Sequence, residues 1–280
     1  MQELEIPPTA VSWRASSLLL PGLDNETSVA LSELGVTLKE DNGRKFSQAL
    51  CWAGVQLSRY KILENHPDLP HWWVERRNKL FVPINSNSEK IPSITSHPGI
   101  PFPEDCVIFL NGATNYSILL WGSGTLAYIS PESSLPSAHF AIGDGFLFIG
   151  PNVRSTARLN VNCRNDGSVV LVSDILIGSD VKFQTDDCHT IISVETGTRI
   201  NPFGGTIIVK NHVWLGEGAL VLGDSFINSD CIIGARSFIR GIMTPKNAIL
   251  AGVPGKVTRT GITWDSRDLP PDHPDLISKD

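Results

Sequence analysis

The sequence predicts a mainly β chain, a prism of stacked coils preceded by a mixed α/β N-terminal extension. Three observations carry this. Aliphatic residues stand at Val209, Leu215, Val221, Ile227, Ile233 and Ile239, always six apart. Neither a helix nor a half-buried strand produces that beat. Four places after the first five come Val213, Ala219, Ser225, Cys231 and Ser237, all small or β-branched. Finally, 24 glycines and 19 prolines suit a chain that turns often. A six-residue unit of this kind is a short strand and a bend. Three units make a triangular coil of about eighteen residues, and stacked coils bury their aliphatics in one axial core.

The elements follow in chain order. Met1 to about Phe81 is mixed in composition, with Trp13, Trp52, Trp72 and Trp73 crowded there. Within it Phe46, Leu50, Ala53, Leu57 and Tyr60 have helical spacing after a cap-like Asp41 or Asn42, which predicts one amphipathic helix. Pro83 to Pro103, rich in proline, serine and asparagine, reads as an extended connector. Strand character begins at about Asp105. The beat runs through Leu171, Ile177 and Phe183, then breaks, because Phe183 and Val209 are not separated by a multiple of six. Residues 184–208 are therefore expected to loop out of the prism. The division is an extension over 1–103, a coil domain over 104–257 and a tail over 258–280.

Composition removes several function classes. With 41% hydrophobic residues the chain buries a real core. A net charge of −6 with no basic block argues against nucleic acid as a partner. No apolar run approaches the length of a membrane span, so no membrane insertion is expected. Cys51, Cys106, Cys163, Cys188 and Cys231 are scattered and form no CxxC pair, which fits reduced thiols in a cytoplasmic protein. The start, "MQELEIPPTAVSW", lacks the apolar centre of a signal peptide.

The units "LVSDIL", "IGSDVK" and "IGARSF", together with "TDDCHTI", "NHVWLG" and "ILAGVPGKVTR", resemble the hexapeptide-repeat acyltransferases. Within that superfamily the chain looks most like the sugar and polysaccharide O-acetyltransferases, a group that includes the maltose and galactoside acetyltransferases. The resemblance covers about Ala141 to Trp264 and implies a left-handed parallel β-helix, here expected as a homotrimer with active sites between subunits. It also implies acetyl-CoA as donor, a sugar or oligosaccharide acceptor, and no metal.

Residue by residue, the resemblance makes His189 the catalytic base, since a neutral imidazole can take the proton of an attacking hydroxyl. On the acceptor side it implies Asn160, Asp166, Asp187 and Trp214, although the segment holding Asn160 and Asp166 departs by one residue from the family spacing. On the donor side it implies Glu217 and Ala235 beside the pantetheine arm, and Arg240, Lys256 and Arg259 near the phosphates. Arg240-Gly241 stands where many relatives have Thr-Lys. His212 is expected in a turn or a subunit contact. Two other activities share the scaffold, N-acetylation of an amino-sugar nucleotide and a zinc site of the γ-carbonic-anhydrase type. His139, His189 and His212 lack the clustered spacing that the zinc site needs. A non-catalytic scaffold would have no use for a looped-out Asp-Cys-His.

Overall fold

The computed structural model describes residues 24–86 and 90–276. Met1 to Trp13, read above as lacking a signal peptide, lies outside the described residues. So do Asn87 to Glu89 of the expected connector.

The chain winds as a parallel β-solenoid of about seven turns, consistent with a left-handed β-helix. The first sheet runs from Lys79–Pro83 through Val107–Phe109, Leu126–Ile129, Phe146–Ile149, Ser168–Leu171 and Thr206–Val209 to Ser225–Ile227. The second runs from Ser93–Ser96 to Phe238–Ile239, and the third from Val153–Ser155 to Ala248–Ala251. From Phe146–Ile149 onward each coil visits the first, third and second sheets in turn. Antiparallel strands close both ends, with Tyr60–Ile62 on Lys79–Pro83 and Lys256–Thr260 on Ala248–Ala251.

The corners show why the repeat is six. Asp174, Asp180, His212, Asp224, Asp230 and Arg236 have φ between 49° and 60°, and Gly218 has 68°. Each stands three places after an inward aliphatic, where a single left-handed residue turns the chain by one corner. Few residue types adopt that conformation readily, and Asp, Asn and Gly lead among them. The aliphatics themselves, Val209 to Ile239, are 0–1% exposed, as are the small residues four places on. Burying each contributes about 1.5–3 kcal/mol for the larger side chains. Ile207 pairs with Ser225, Trp214 with Ile232 and Leu220 with Phe238, giving the expected coil of eighteen residues.

Strand stacking starts earlier than Asp105. Lys79–Pro83 pairs in parallel with Val107–Phe109, and Ser93–Ser96 with Ser117–Leu120, inside the stretch expected to be a connector. Its prolines fall at strand ends, as Pro83 does, or just outside strands, as Pro92 and Pro98 do, where no ladder N–H is lost. The expected tail also begins with a strand, since Lys256–Thr260 runs past residue 258.

Two helices cover the outer side of the first sheet. The first, α1 (Asn25–Glu33), is capped by Asp24, whose carboxylate accepts from the Thr27 N–H at 2.8 Å. The second, α2 (Glu40–Ala53), is the helix predicted from the sequence, but Lys39 precedes it rather than Asp41 or Asn42. Gly54 ends it at φ 64°, so Leu57 and Tyr60, although buried, lie beyond it. Its Phe46 meets Phe109, Tyr128, Phe146 and Phe148 with centroids 5.7–6.4 Å apart. These rings belong to an outward ladder on the first sheet, in which Phe81 stacks on Phe109 and Tyr128 on Phe148. The Lys210 ammonium sits 3.9 Å over the Trp52 ring and ties the end of α2 to a later coil.

Candidate active site

The one long interruption in the later coils lies at the corner between the second and first sheets. Lys182 pairs with Leu220, thirty-eight residues on, where eighteen is the coil length above. The extra chain leaves after Val181–Gln184 and returns at Thr206–Val209. Asp186 closes its base. This buried carboxylate accepts from Asn165 Nδ2 at 2.5 Å, the Gly204 N–H at 3.1 Å and the Cys188 N–H at 2.9 Å. Burial opposes its charge, but these donors outweigh burial and hold its pKa below the usual carboxylate range.

Beyond the base the loop is a hairpin, with Ile192 bridged to Arg199, the Ile200 N–H donating to the Ile191 carbonyl and the Ser193 N–H donating to the Thr198 carbonyl. Asn201 reaches across it. Its Nδ2 donates to the His189 carbonyl at 2.7 Å, and its Oδ1 accepts from the Ile191 N–H at 2.8 Å. The His189 backbone is thereby fixed while its side chain is exposed. Arg240, at the end of the last second-sheet strand, meets Asp187 at 3.3 Å and holds the loop against the later coils.

Of the other predicted residues, Asp166 lies at this same corner one coil below the loop, and the rest lie elsewhere on the prism. Asn160 faces outward on the second sheet between His139 and Lys182, and Asp166 is exposed in the following turn at φ 57°. Trp214 lies on the third sheet, 40% exposed. Glu217 and Ala235 occupy the corner between the third and second sheets, next to Gly178 and Gly216. A Cβ on either glycine would come within 2.6 Å of the backbone nitrogen of Glu217 or Ala235. Lys256 and Arg259 are exposed on the closing strand of the third sheet. Within this chain, then, His189, Asp187, Arg240 and Asp166 share a corner, while Trp214, Glu217, Ala235, Lys256 and Arg259 do not join them.

His212 stands in a turn. Its Nδ1 meets Asp174 at 2.6 Å, its Nε2 meets the Trp264 carbonyl at 2.9 Å, and its ring stacks on the Trp264 indole at 4.5 Å. The indole N–H returns a bond to the His212 carbonyl at 3.0 Å. Burial pulls the imidazole pKa down, but the carboxylate and carbonyl outweigh it and the net shift is upward.

The sequence reading missed a second group at the loop corner. His97, Trp121 and Arg164 follow second-sheet strands in successive register, and Arg164 lies one coil below the loop. Asn162 Nδ2 approaches the Cys188 thiol at 3.5 Å. Burial raises the pKa of that thiol, with Arg164 beside it opposing. No six-residue beat marks these positions, because the early coils are longer. Among the described residues, no group of three or more His, Cys, Asp or Glu is placed to hold a metal ion. Nor is any described helix long and apolar enough to cross a membrane.

No family model matches the chain. It is 32% identical over 127 residues to an Escherichia coli protein described as a putative lipopolysaccharide biosynthesis O-acetyl transferase, WbbJ. That match covers 42% of this chain and 63% of the relative. It is 36% identical over 56 residues to the polysialic acid O-acetyltransferase of Neisseria meningitidis, covering 20% of this chain and 26% of that protein. The chain thus spans less than two thirds of either curated relative. Among solved structures, the polysialic acid O-acetyltransferase OatWY superposes with a TM-score of 0.50 at 18% identity, over 65% of this chain and 92% of that one. In repeat, solenoid and curated relatives alike, the chain is similar to the hexapeptide-repeat acyltransferases.

Proposed function

We propose that the chain transfers an acetyl group from acetyl-CoA to a hydroxyl of a sugar or polysaccharide precursor. The observation that carries this is the exposed His189, held on a pinned loop beside a rigid prism. Relatives named for O-acetyl transfer to lipopolysaccharide and polysialic acid support the same chemistry. The neutral imidazole takes the acceptor hydroxyl proton as that oxygen attacks the thioester carbonyl. Backbone amides stabilise the resulting oxyanion. Collapse expels the coenzyme A thiolate, which recovers the proton from the imidazolium.

Coenzyme A would lie along the corner of Glu217 and Ala235, with Lys256 and Arg259 toward its phosphates. Asp166, Asn160 and Trp214 would serve the acceptor. Asp187 and Arg240 already engage one another, so their first task is to orient the loop. Because Trp214, Glu217, Ala235, Lys256 and Arg259 lie away from the His189 corner, one working site requires a second copy of the chain, and a closed homotrimer supplies three equivalent ones. The experiment is product mass spectrometry after incubation with acetyl-CoA and a panel of sugars, nucleotide sugars and oligosaccharides, with light scattering of the same sample. A gain of one acetyl group on a sugar oxygen in a trimeric sample supports the reading. No acetylated product, or a fully active monomer, overturns it.

A further inference from the structure

At the loop corner, below the catalytic loop, three side chains form one continuous strip. The His97 and Trp121 rings stack at 3.5 Å and 21°, and the Arg164 guanidinium carbon lies 4.2 Å from the Trp121 centroid. Trp121 and Arg164 are two coils apart, and they meet because Gly143 occupies the coil between them. A Cβ at Gly143 would come within 2.6 Å of the Trp121 Cβ. With strands about 4.8 Å apart, the strip runs from roughly 5 Å below the loop coil at Arg164 to roughly 19 Å at His97. All three side chains are half-buried, so their edges face solvent.

Arg164 is also a cation whose partners are the Asn162 amide and the Cys188 thiol rather than a carboxylate. Arg77, Arg158, Arg240 and Arg267 each have a carboxylate partner. No ion pair joins Arg164 to a carboxylate among the described residues, and its Nε donates to Asn162 Oδ1 at 2.9 Å. Asp186, one coil above, is engaged by Asn165, Gly204 and Cys188 instead. The adjoining outward positions of the second sheet add His139 and Lys182, while the turns that follow its strands place the exposed Asp144 and Asp166 at the same corner. A planar guanidinium fixed by stacking, with terminal N–H groups free of carboxylate, suits bidentate capture of an anionic oxygen pair.

We propose that this strip is the acceptor track, and that it binds an extended glycan bearing carboxylates, with Arg164 holding an acid group next to the sugar presented to His189. The proposal rests on the acetyltransferase reading only for the direction of the chain from His189. An extended strip favours a chain of sugars over a single small anion. Both faces of the indole are covered, so recognition is by edges and charge rather than by stacking of sugar rings.

The test uses the full chain on an array of carboxylate-bearing oligosaccharides and their carboxyl-reduced counterparts, with acetyl transfer scored separately. Acidic chains longer than a disaccharide should bind, and carboxyl reduction should weaken them roughly tenfold or more, less so at high salt. Arg164→Gln should lose that preference, Arg164→Lys should recover part of it, and Arg158→Gln should leave it intact. A merely structural Arg164 would lower the melting temperature without changing the preference of acidic over reduced chains. Equal binding of reduced chains, no binding of any acidic chain, an unchanged Arg164→Gln variant, or displacement of the glycan by coenzyme A would each overturn the proposal. Binding without acetyl transfer would sink the transferase reading and leave the strip standing. Acetyl transfer by the wild-type protein to acidic and carboxyl-reduced chains at equal rate would do the reverse.

Discussion

His212 shows how a single histidine can serve the fold, clamped in a turn between Asp174 and Trp264. Both its ring nitrogens face acceptors, Asp174 and the Trp264 carbonyl, so the doubly protonated ring is the form that satisfies both. A folded-state pKa above the unfolded value of about 6.5 stabilises the clamp fully below that value. The stabilisation is then lost as pH rises through the folded pKa. Asp230 and Asp265 also face this ring, and their charge acts in the same direction. The expected outcome is a melting temperature that falls on alkaline titration above about pH 6.5 in the wild type. The His212→Gln variant should lack that dependence. A variant with the same pH profile as the wild type would show that the clamp does not titrate.

At the scale of elements, the loop stands on one buried carboxylate. Asp186→Ala leaves the Gly204 and Cys188 N–H groups and the Asn165 amide without their shared acceptor, a cost of about 1–3 kcal/mol for each group left buried and unpaired. The prism coils do not depend on that acceptor. Limited proteolysis should therefore nick the variant between residues 189 and 200 while the core stays intact, and wild-type resistance in the variant would contradict this. The coils from Leu171 onward were legible because each corner takes one left-handed residue, which fixes the interval at six. Earlier coils were not legible, since longer turns shift the beat. Ser117 pairs with His139 twenty-two residues on, and Asn165 and Asp166 both take positive φ in one turn. The strip of His97, Trp121 and Arg164 was hidden for the same reason. Its members are far apart in sequence and meet only through coil register. His189 and its loop were legible because they break a regular pattern, whereas α1 has too weak an apolar face to announce itself.

At the scale of the whole molecule, the first hundred residues bear on stability as well as on any acceptor role. They contribute the strands Lys79–Pro83 and Ser93–Ser96, and α2 shields the ladder of Phe109, Tyr128 and Phe148. Deleting residues 1–95 would open that apolar face and the end of the axial core together. The truncated chain should be recovered as aggregate, and a soluble trimer that binds coenzyme A would show instead that the segment is a separable module. The central claim is that a rigid prism presents one loop base, His189, to an acetyl thioester. The most direct measurement compares wild type and His189→Ala for acetyl transfer on the best acceptor, with coenzyme A binding and oligomeric state followed in parallel. The account predicts unchanged binding and assembly, with turnover reduced about 10² to 10⁴-fold. A variant that keeps more than about a tenth of wild-type turnover would contradict it, since the loss of a general base costs far more than tenfold.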